Sequence, residues 1–374
     1  MALEKKREIR GAQKPLDQAE ADNLLWLKWT ITMVLPVALG VVPLGIKISM
    51  QLYFALTLWA ILMWMFQLIP EGLVGALLPV LYLLFKVGTA QQVFQGWQSG
   101  VPWITLGGLI IGSVMVSSGL AKRIAYHALA ITGASLTGVI IGIALAAVII
   151  TPFIPSVMGK VSLMVPLVIG ICQASNIKPE SKTASAMMLA VFFALWSPKM
   201  AFLTASADSV LMAGLLSHQM GLSISWARWA YEMFAPALLW TAVSVALVFL
   251  LRPERIEIDK ATSIQRYRDL GPITKGEKKT GVLILVLLVA LATDSIHKIN
   301  PAWTMVIMAS LCFFPGIDLL KKEDLRKINF PIIFFLVGSL AIGTMTKVTG
   351  TVDLISRTMI PEKVMRHKCH LMKL

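Results

Sequence analysis

Long apolar runs alternate with short polar connectors along almost the whole chain. The runs extend from Trp29 to Ile46, Gln51 to Ile69, Gly72 to Phe85, Val101 to Ser118, Leu136 to Cys172, Ala184 to Leu216, Trp229 to Leu251, Gly281 to Ile296, Ala302 to Phe314 and Pro331 to Met345. A helix that crosses a bilayer needs about 20 apolar residues. Most of these runs therefore predict single spans, but 136–172 and 184–216 are too long for one plain helix each. The pattern predicts an all-α polytopic membrane protein.

Composition agrees. Of 374 residues, 57% are hydrophobic and 14% charged, against about 45–50% and about 25% in soluble domains. The formal net charge of +14 would suggest nucleic acid as a partner of a soluble protein, yet here the basic residues lie in connectors between apolar runs, so none is expected. Cys172, Cys312 and Cys369 are few and widely spaced, which excludes a disulfide scaffold. No His/Cys/Asp/Glu spacing resembles a metal site, and no phosphate loop or nucleophile elbow occurs, so neither an enzyme nor a bound cofactor is expected.

Residues 1–28 carry charges of both signs and read as a cytoplasmic leader rather than a cleaved signal. With the leader inside, and 136–172 entering and leaving by one face, the inside loops hold Lys122, Arg123, Lys178, Lys182, the run Arg252 to Lys279, and Lys321, Lys322, Arg326 and Lys327. The opposite loops hold glutamines after Gly88, and His218 with Gln219. This asymmetry is the positive-inside pattern, and it favours a re-entrant 136–172. The implied location is a cell inner or plasma membrane, crossed many times.

An offset of 231 positions carries Pro70 onto Pro301, Gly107 onto Gly338, Gly112 onto Gly343 and Gly119 onto Gly350 without a gap. The connectors exchange charge character between the copies, which predicts inverted repeats. That arrangement is frequent in secondary transporters, whose substrate and coupling ions bind near the midplane on interrupted helices. The same offset carries Ser156 to a position near 387, past Leu374. The second repeat is therefore expected to be incomplete.

Two interruptions stand out. In 136–172, Thr151-Pro-Phe-Ile-Pro-Ser-Val-Met-Gly-Lys160 places two prolines three residues apart, which ends a helix rather than kinking it. A helical hairpin with its tip near Pro155 to Gly159 is predicted, and open backbone at membrane depth marks a candidate binding element. In 184–216, Ser197-Pro-Lys199 and Thr204-Ala-Ser-Ala-Asp208-Ser209 divide a second helix. Lys160 and Asp208 are expensive inside a bilayer, so each calls for a partner or a functional role. They could pair with one another, Lys160 could contact an anion, or Asp208 could cap a helix near an interface. Ser197 and Pro198 suggest a wetter region around Lys199. Trp26, Trp29, Trp97, Trp103, Trp226 and Trp229 lie near span ends and read as interfacial anchors and packing residues.

The chain from about Gln51 to Gly350 resembles the divalent anion:sodium symporter family of dicarboxylate, citrate and sulfate carriers and plastid oxoglutarate/malate translocators. The resemblance rests on Ser118-Gly119-Leu120-Ala-Lys122-Arg123-Ile124, Pro155-Ser156 with Gly159-Lys160 and Leu163 to Pro166, Ala201-Phe202-Leu203-Thr204-Ala205, Ile299-Asn300-Pro301-Ala302, and Asn329-Phe330-Pro331. The stretch Phe202 to Ala205 and the basic Lys160 are most similar to the citrate and plastid branch. The resemblance implies a homodimer with scaffold and transport domains, two hairpins whose tips carry Ser-Asn-Thr against a substrate carboxylate, and sodium held at the tip and the nearby helix break. Ser156 matches, whereas Val157 and Met158 stand where the family has Asn and Thr, and Asp208 where it tends to have Asn.

The expected organisation is a leader (1–28), first-repeat scaffold helices (29–135), a transport region (136–251), a basic cytoplasmic loop (252–280), second-repeat scaffold helices (281–350) and a tail (351–374). The transport region comprises a re-entrant hairpin (136–172), a broken helix (184–216) and a helix (229–251). The expected function is secondary transport of small di- or tricarboxylates by alternating access, with sodium symport or anion exchange. Substrate contacts fall to Ser156, Val157, Met158, Gly159, Lys160, Thr204 and Ser206, and ion coupling to Ser156, Thr204 and Asp208. Two other readings stay open. One is a different anion or a proton-coupled exchanger, favoured by Val157, Met158 and Asp208. The other is a non-transporting membrane protein that uses Arg252 to Lys279 as an interaction surface.

Overall fold

The computed structural model describes residues 24–133, 135–155, 157–222, 224–251 and 260–359, which are helical and contain no strand. The helices are α1 (Leu24–Val41), α2 (Ile48–Phe66), α3 (Glu71–Leu84), α4 (Ala90–Val93), α5 (Gly100–Ser117), α6 (Leu120–Thr132), α7 (Leu136–Ile150), α8 (Val157–Ala174), α9 (Lys182–Trp196), α10 (Ala207–Met220), α11 (Trp226–Leu247), α12 (Lys260–Arg268), α13 (Lys275–Ala292), α14 (Asp294–His297), α15 (Pro301–Leu311), α16 (Pro331–Val348) and α17 (Thr351–Met359). Seven helical segments among the described residues are long and apolar enough to cross a membrane, and α3, α15 and most of α8 and α10 form shorter apolar helices. Side-chain caps open many of them. Ser99, Ser135, Ser181, Ser206 and Ser225 each accept an amide hydrogen from the first turn of α5, α7, α9, α10 and α11, and Thr274 with Glu277 forms a capping box at α13. Such caps satisfy amides that the helix itself leaves without partners.

Several boundaries differ from the sequence reading. Lys122 and Arg123, expected in a loop, lie in α6, and part of the basic connector forms α12. The glutamine-rich connector contains α4, opened by a capping box of Thr89 and Gln92. The expected tail begins with α17, and its remainder, like residues 1–23 and 252–259, lies outside the described residues.

The helices group into two compact units. The first contains residues 1–98 and 331–374, the second residues 99–330. The second unit begins just before α5, which packs along α15 and touches the interrupted region. In the first unit α3 packs along α16 at very short range: a Cβ on Gly338 would lie 2.5 Å from the Gly75 Cα, and one on Gly72 would lie 2.7 Å from the Pro331 Cα. In the second unit, a Cβ on Gly107 of α5 would lie 2.7 Å from the Met305 Cβ of α15. The 231-residue offset carries α5 onto α16 end to end and the start of α6 onto the start of α17. Gly119 and Gly350, which join those helices, both adopt left-handed backbone, at φ 85° and 76°. Other residues rarely adopt that conformation. Each unit thus pairs an early helix with a late one, α3 with α16 and α5 with α15.

A buried ion pair anchors α6 to α13 in the second unit. Arg123 donates to both carboxylate oxygens of Glu277, at 2.7 and 3.0 Å, and to the Gly271 carbonyl at 3.0 Å. The guanidinium, followed by the amide of Thr274, holds the Glu277 carboxyl below the usual carboxylate range.

Candidate functional site

Both predicted interruptions are present, and both belong to the second unit. After α7, a 3-10 turn covers Thr151–Phe153, Ile154 is extended (φ −117°, ψ 93°), and α8 begins at Val157. Pro152 and Pro155 supply no amide donor, and Pro155 disfavours helical backbone at Ile154. The open segment therefore precedes the expected tip, and Val157, Gly159 and Lys160 stand in the first turn of α8. Ser156 and the side chain of Met158 lie outside the described residues. The second interruption runs from 197 to 206, with 3-10 turns at Pro198–Ala201 and Leu203–Ala205 separated by extended Phe202.

The two interruptions are joined. Thr204 donates its hydroxyl hydrogen to the Pro152 carbonyl at 3.0 Å and accepts from the Trp226 indole at 3.2 Å. The Trp229 indole donates to the Met200 carbonyl at 3.1 Å, and the rings of Phe202 and Trp226 stack with centroids 5.8 Å apart. Trp226 and Trp229 are buried. They are clamps on the second break, a role their positions near a span end did not reveal. Ser206 is equally engaged, as the cap of α10, with its hydroxyl 3.0 Å from that of Ser209.

The charged residues divide unequally. Lys199 is buried, not wet, and it pairs with Asp208 at 2.6 Å. Its ammonium lies 3.7 Å from the centre of the Trp196 ring, a favourable cation–π position. The Asp208 side chain is 58% exposed. Lys160 is fully buried, and its Nζ has no hydrogen-bond partner. Two hydroxyls share its condition: Thr151 Oγ1 beside Pro152 and Ser197 Oγ beside Pro198 are buried without partners. The sequence reading gave neither hydroxyl a site role, although a hydroxyl residue before proline at each break was the available signal.

Small residues of α5 seat the first interruption. A Cβ on Gly108 would lie 3.0 Å from the Pro155 ring, and one on Gly112 3.4 Å from the Ile154 Cα. Beside this contact opens a cavity of about 390 Å³, bordered by Ser113 and Ser117 of α5, by Pro155 and Gly159, and by Lys327 and Asn329. Its size suits a small organic molecule. Lys327 forms an exposed pair with Asp324 at 2.8 Å and holds that carboxyl below its usual range. Among the described residues no group of three His, Cys, Asp or Glu side chains could hold a metal ion.

A family model described as the sodium:sulfate symporter transmembrane region matches residues 22–372. An uncharacterized transporter of Haemophilus influenzae is 26% identical over 251 residues, 64% of this chain and 52% of that protein. The inner membrane protein YbhI of Escherichia coli is 24% identical over 319 residues, covering 81% of this chain and 66% of that protein. Dicarboxylate transporter 1 of spinach chloroplasts (Spinacia oleracea) is 28% identical over 228 residues, 59% of this chain and 40% of that protein. The chain spans about half to two thirds of the length of the first two relatives.

Proposed function

Since the chain belongs to the sodium:sulfate symporter family, and is therefore a multi-pass membrane protein of a transporter family rather than an enzyme, we propose that it carries small divalent organic anions across the membrane by alternating access. The observation that carries this reading is the junction of two helix interruptions through Thr204 and Pro152. Irregular backbone at membrane depth is tolerated where it lines a cavity, and a cavity borders Pro155 and Gly159. The first turn of α8 contributes the partial positive charge of a helix N-terminus, which suits a carboxylate.

In this reading Val157, Gly159 and Lys160 face the substrate, and Ser206 and Asp208 shape the second half of the site. Thr204 acts by holding the two breaks together. A relative named as a dicarboxylate transporter supports the substrate class, and a homodimer is the assembly that goes with it.

Uptake of labelled succinate, malate, citrate and sulfate into proteoliposomes containing the 374-residue chain tests the proposal. Uptake of a dicarboxylate or citrate above that of protein-free liposomes is expected, with loss in Thr204→Val. Sulfate uptake alone would replace the substrate class. No uptake of any of the four by folded, monodisperse protein would overturn the reading.

A further inference from the structure

We propose that the groove between α13 and α15 binds an anionic phospholipid, whose phosphate sits against Lys278 at the mouth while an acyl chain lies along Val282, Val286, Met308 and Leu311. The inference does not depend on the substrate, and it stands apart from the carrier reading.

The sequence of α13 sets the two ends of the site. Lys275, Lys278 and Lys279 open the helix, and apolar residues follow from Gly281 to Ala292, so the helix passes from polar to apolar surroundings within about two turns. Positions three or four apart share a helix face, which aligns the lysines with Val282 and Val286 in one stripe. Val282 and Val286 are 63% and 50% exposed, whereas Leu283, Leu287 and Leu291 on the other side of the helix are buried. With Met308 and Leu311 of α15, the two valines wall a groove of about 460 Å³ that has Lys278 and Lys279 on its border. An exposed apolar surface rimmed by polar groups marks a membrane or ligand contact.

The charges at the mouth favour an anion. Lys279 donates to the Gly316 and Ile317 carbonyls in the turn after α15, at 2.6 and 3.1 Å, and an ammonium has a third hydrogen to give. Lys278 is exposed, and among the described residues its side chain has no hydrogen-bond or ion-pair partner. The acids of this region are engaged elsewhere: Glu277 with Arg123, Asp318 with the Gly316 amide at 2.9 Å, and Asp324 with Lys327. A phosphodiester supplies the missing negative charge at the level of the lipid headgroups, and its chain covers the exposed valines. An apolar groove of similar size in the first unit, bordered by Trp59 and Phe85, has no charged residue on its border and so selects no headgroup. A second copy of the chain fits the α13 groove poorly. In a symmetric contact the same patch meets itself, and the lysines would repel one another.

Native mass spectrometry of the delipidated full chain, titrated with dioleoylphosphatidylglycerol or dioleoylphosphatidylcholine, tests the proposal. The phosphatidylglycerol should bind about tenfold or more tightly, with a preference that falls as salt rises. Lys278→Gln breaks no bond within the protein and should weaken phosphatidylglycerol binding about fivefold, leaving phosphatidylcholine unchanged. Val286→Trp fills the groove and should weaken both lipids. Lys322→Gln, which removes an equal charge outside the groove, should change neither. Equal binding of the two lipids, unchanged phosphatidylglycerol affinity in Lys278→Gln, or an equal loss in Lys322→Gln would overturn the inference, as would displacement of the lipid by inorganic phosphate. Dimers that dissociate in Val286→Trp while lipid binding stays unchanged would assign the groove to a second copy instead. None of these outcomes touches substrate uptake, which judges the carrier reading separately.

Discussion

The two units of the chain treat buried polar groups in opposite ways. In the first unit, Tyr53 meets the Thr346 hydroxyl at 2.6 Å, and Thr57 bonds both the Tyr82 hydroxyl and the Tyr53 carbonyl at 2.6 Å. These bonds join α2 to α3 and α16 and leave no member of the network without a partner. In the second unit the described residues include five buried side-chain groups that lack one, and three of them, Thr151, Lys160 and Ser197, flank or follow the helix interruptions. Satisfied polar groups fix a fold. Orphaned ones are costly, and among the described residues of the second unit most of them gather at the two interruptions.

Substitutions can break or sharpen this contrast. The largest effect is expected at a satisfied charge of the second unit. Glu277→Gln leaves Arg123 buried without its counter-charge and should cost about 3–5 kcal/mol, read as an earlier transition in an SDS-titration unfolding curve. The Glu277 carboxyl lies below its ordinary value near 4.5 in the folded protein. Its contribution is therefore complete above that pH and is lost as pH falls through the lower folded value, so the variant should lose less stability than the parent on acidification. Equal acid sensitivity would show that the pair adds nothing.

A smaller loss is expected where α3 and α16 touch. Gly338→Ala forces a methyl group against the Gly75 backbone and should cost about 1–3 kcal/mol in the same assay. An unchanged midpoint would mean that the two helices separate freely. The smallest belongs to the satisfied network of the first unit. Thr57→Val removes the bond to Tyr82 and should cost about 1 kcal/mol without altering anion affinity. A change in affinity there would erase the distinction between the two units.

Much of this was legible in the residues, for reasons that can be named. Apolar run length reports directly on spanning helices, and the prolines at 152, 155 and 198 announced both interruptions because a missing amide cannot be compensated within a helix. The amphipathic α6 and the polar α12 escaped because neither has the uniform apolarity of a span. The pairing of Lys199 with Asp208 escaped for a different reason: a separation of nine residues across two 3-10 turns matches no helical periodicity. Trp226 had the composition of an interfacial anchor, and only the fold reveals that its indole faces Thr204. Thr151 and Ser197 were visible as residues but not as orphans, since an unmet hydrogen bond is a property of the surroundings.

The pairing of early helices with late ones also sets a timetable. α3 is complete long before its partner α16, and α5 long before α15. At about 5–20 residues per second, lags of about 260 positions for α16 behind α3 and about 190 for α15 behind α5 correspond to roughly 10 to 50 s of synthesis. During that interval the glycine-lined seams of α3 and α5 lack the helices that later cover them. The ribosome must therefore deliver α15 before the seam of α5 can close and α16 before that of α3 can, so neither seam closes progressively as its first helix emerges.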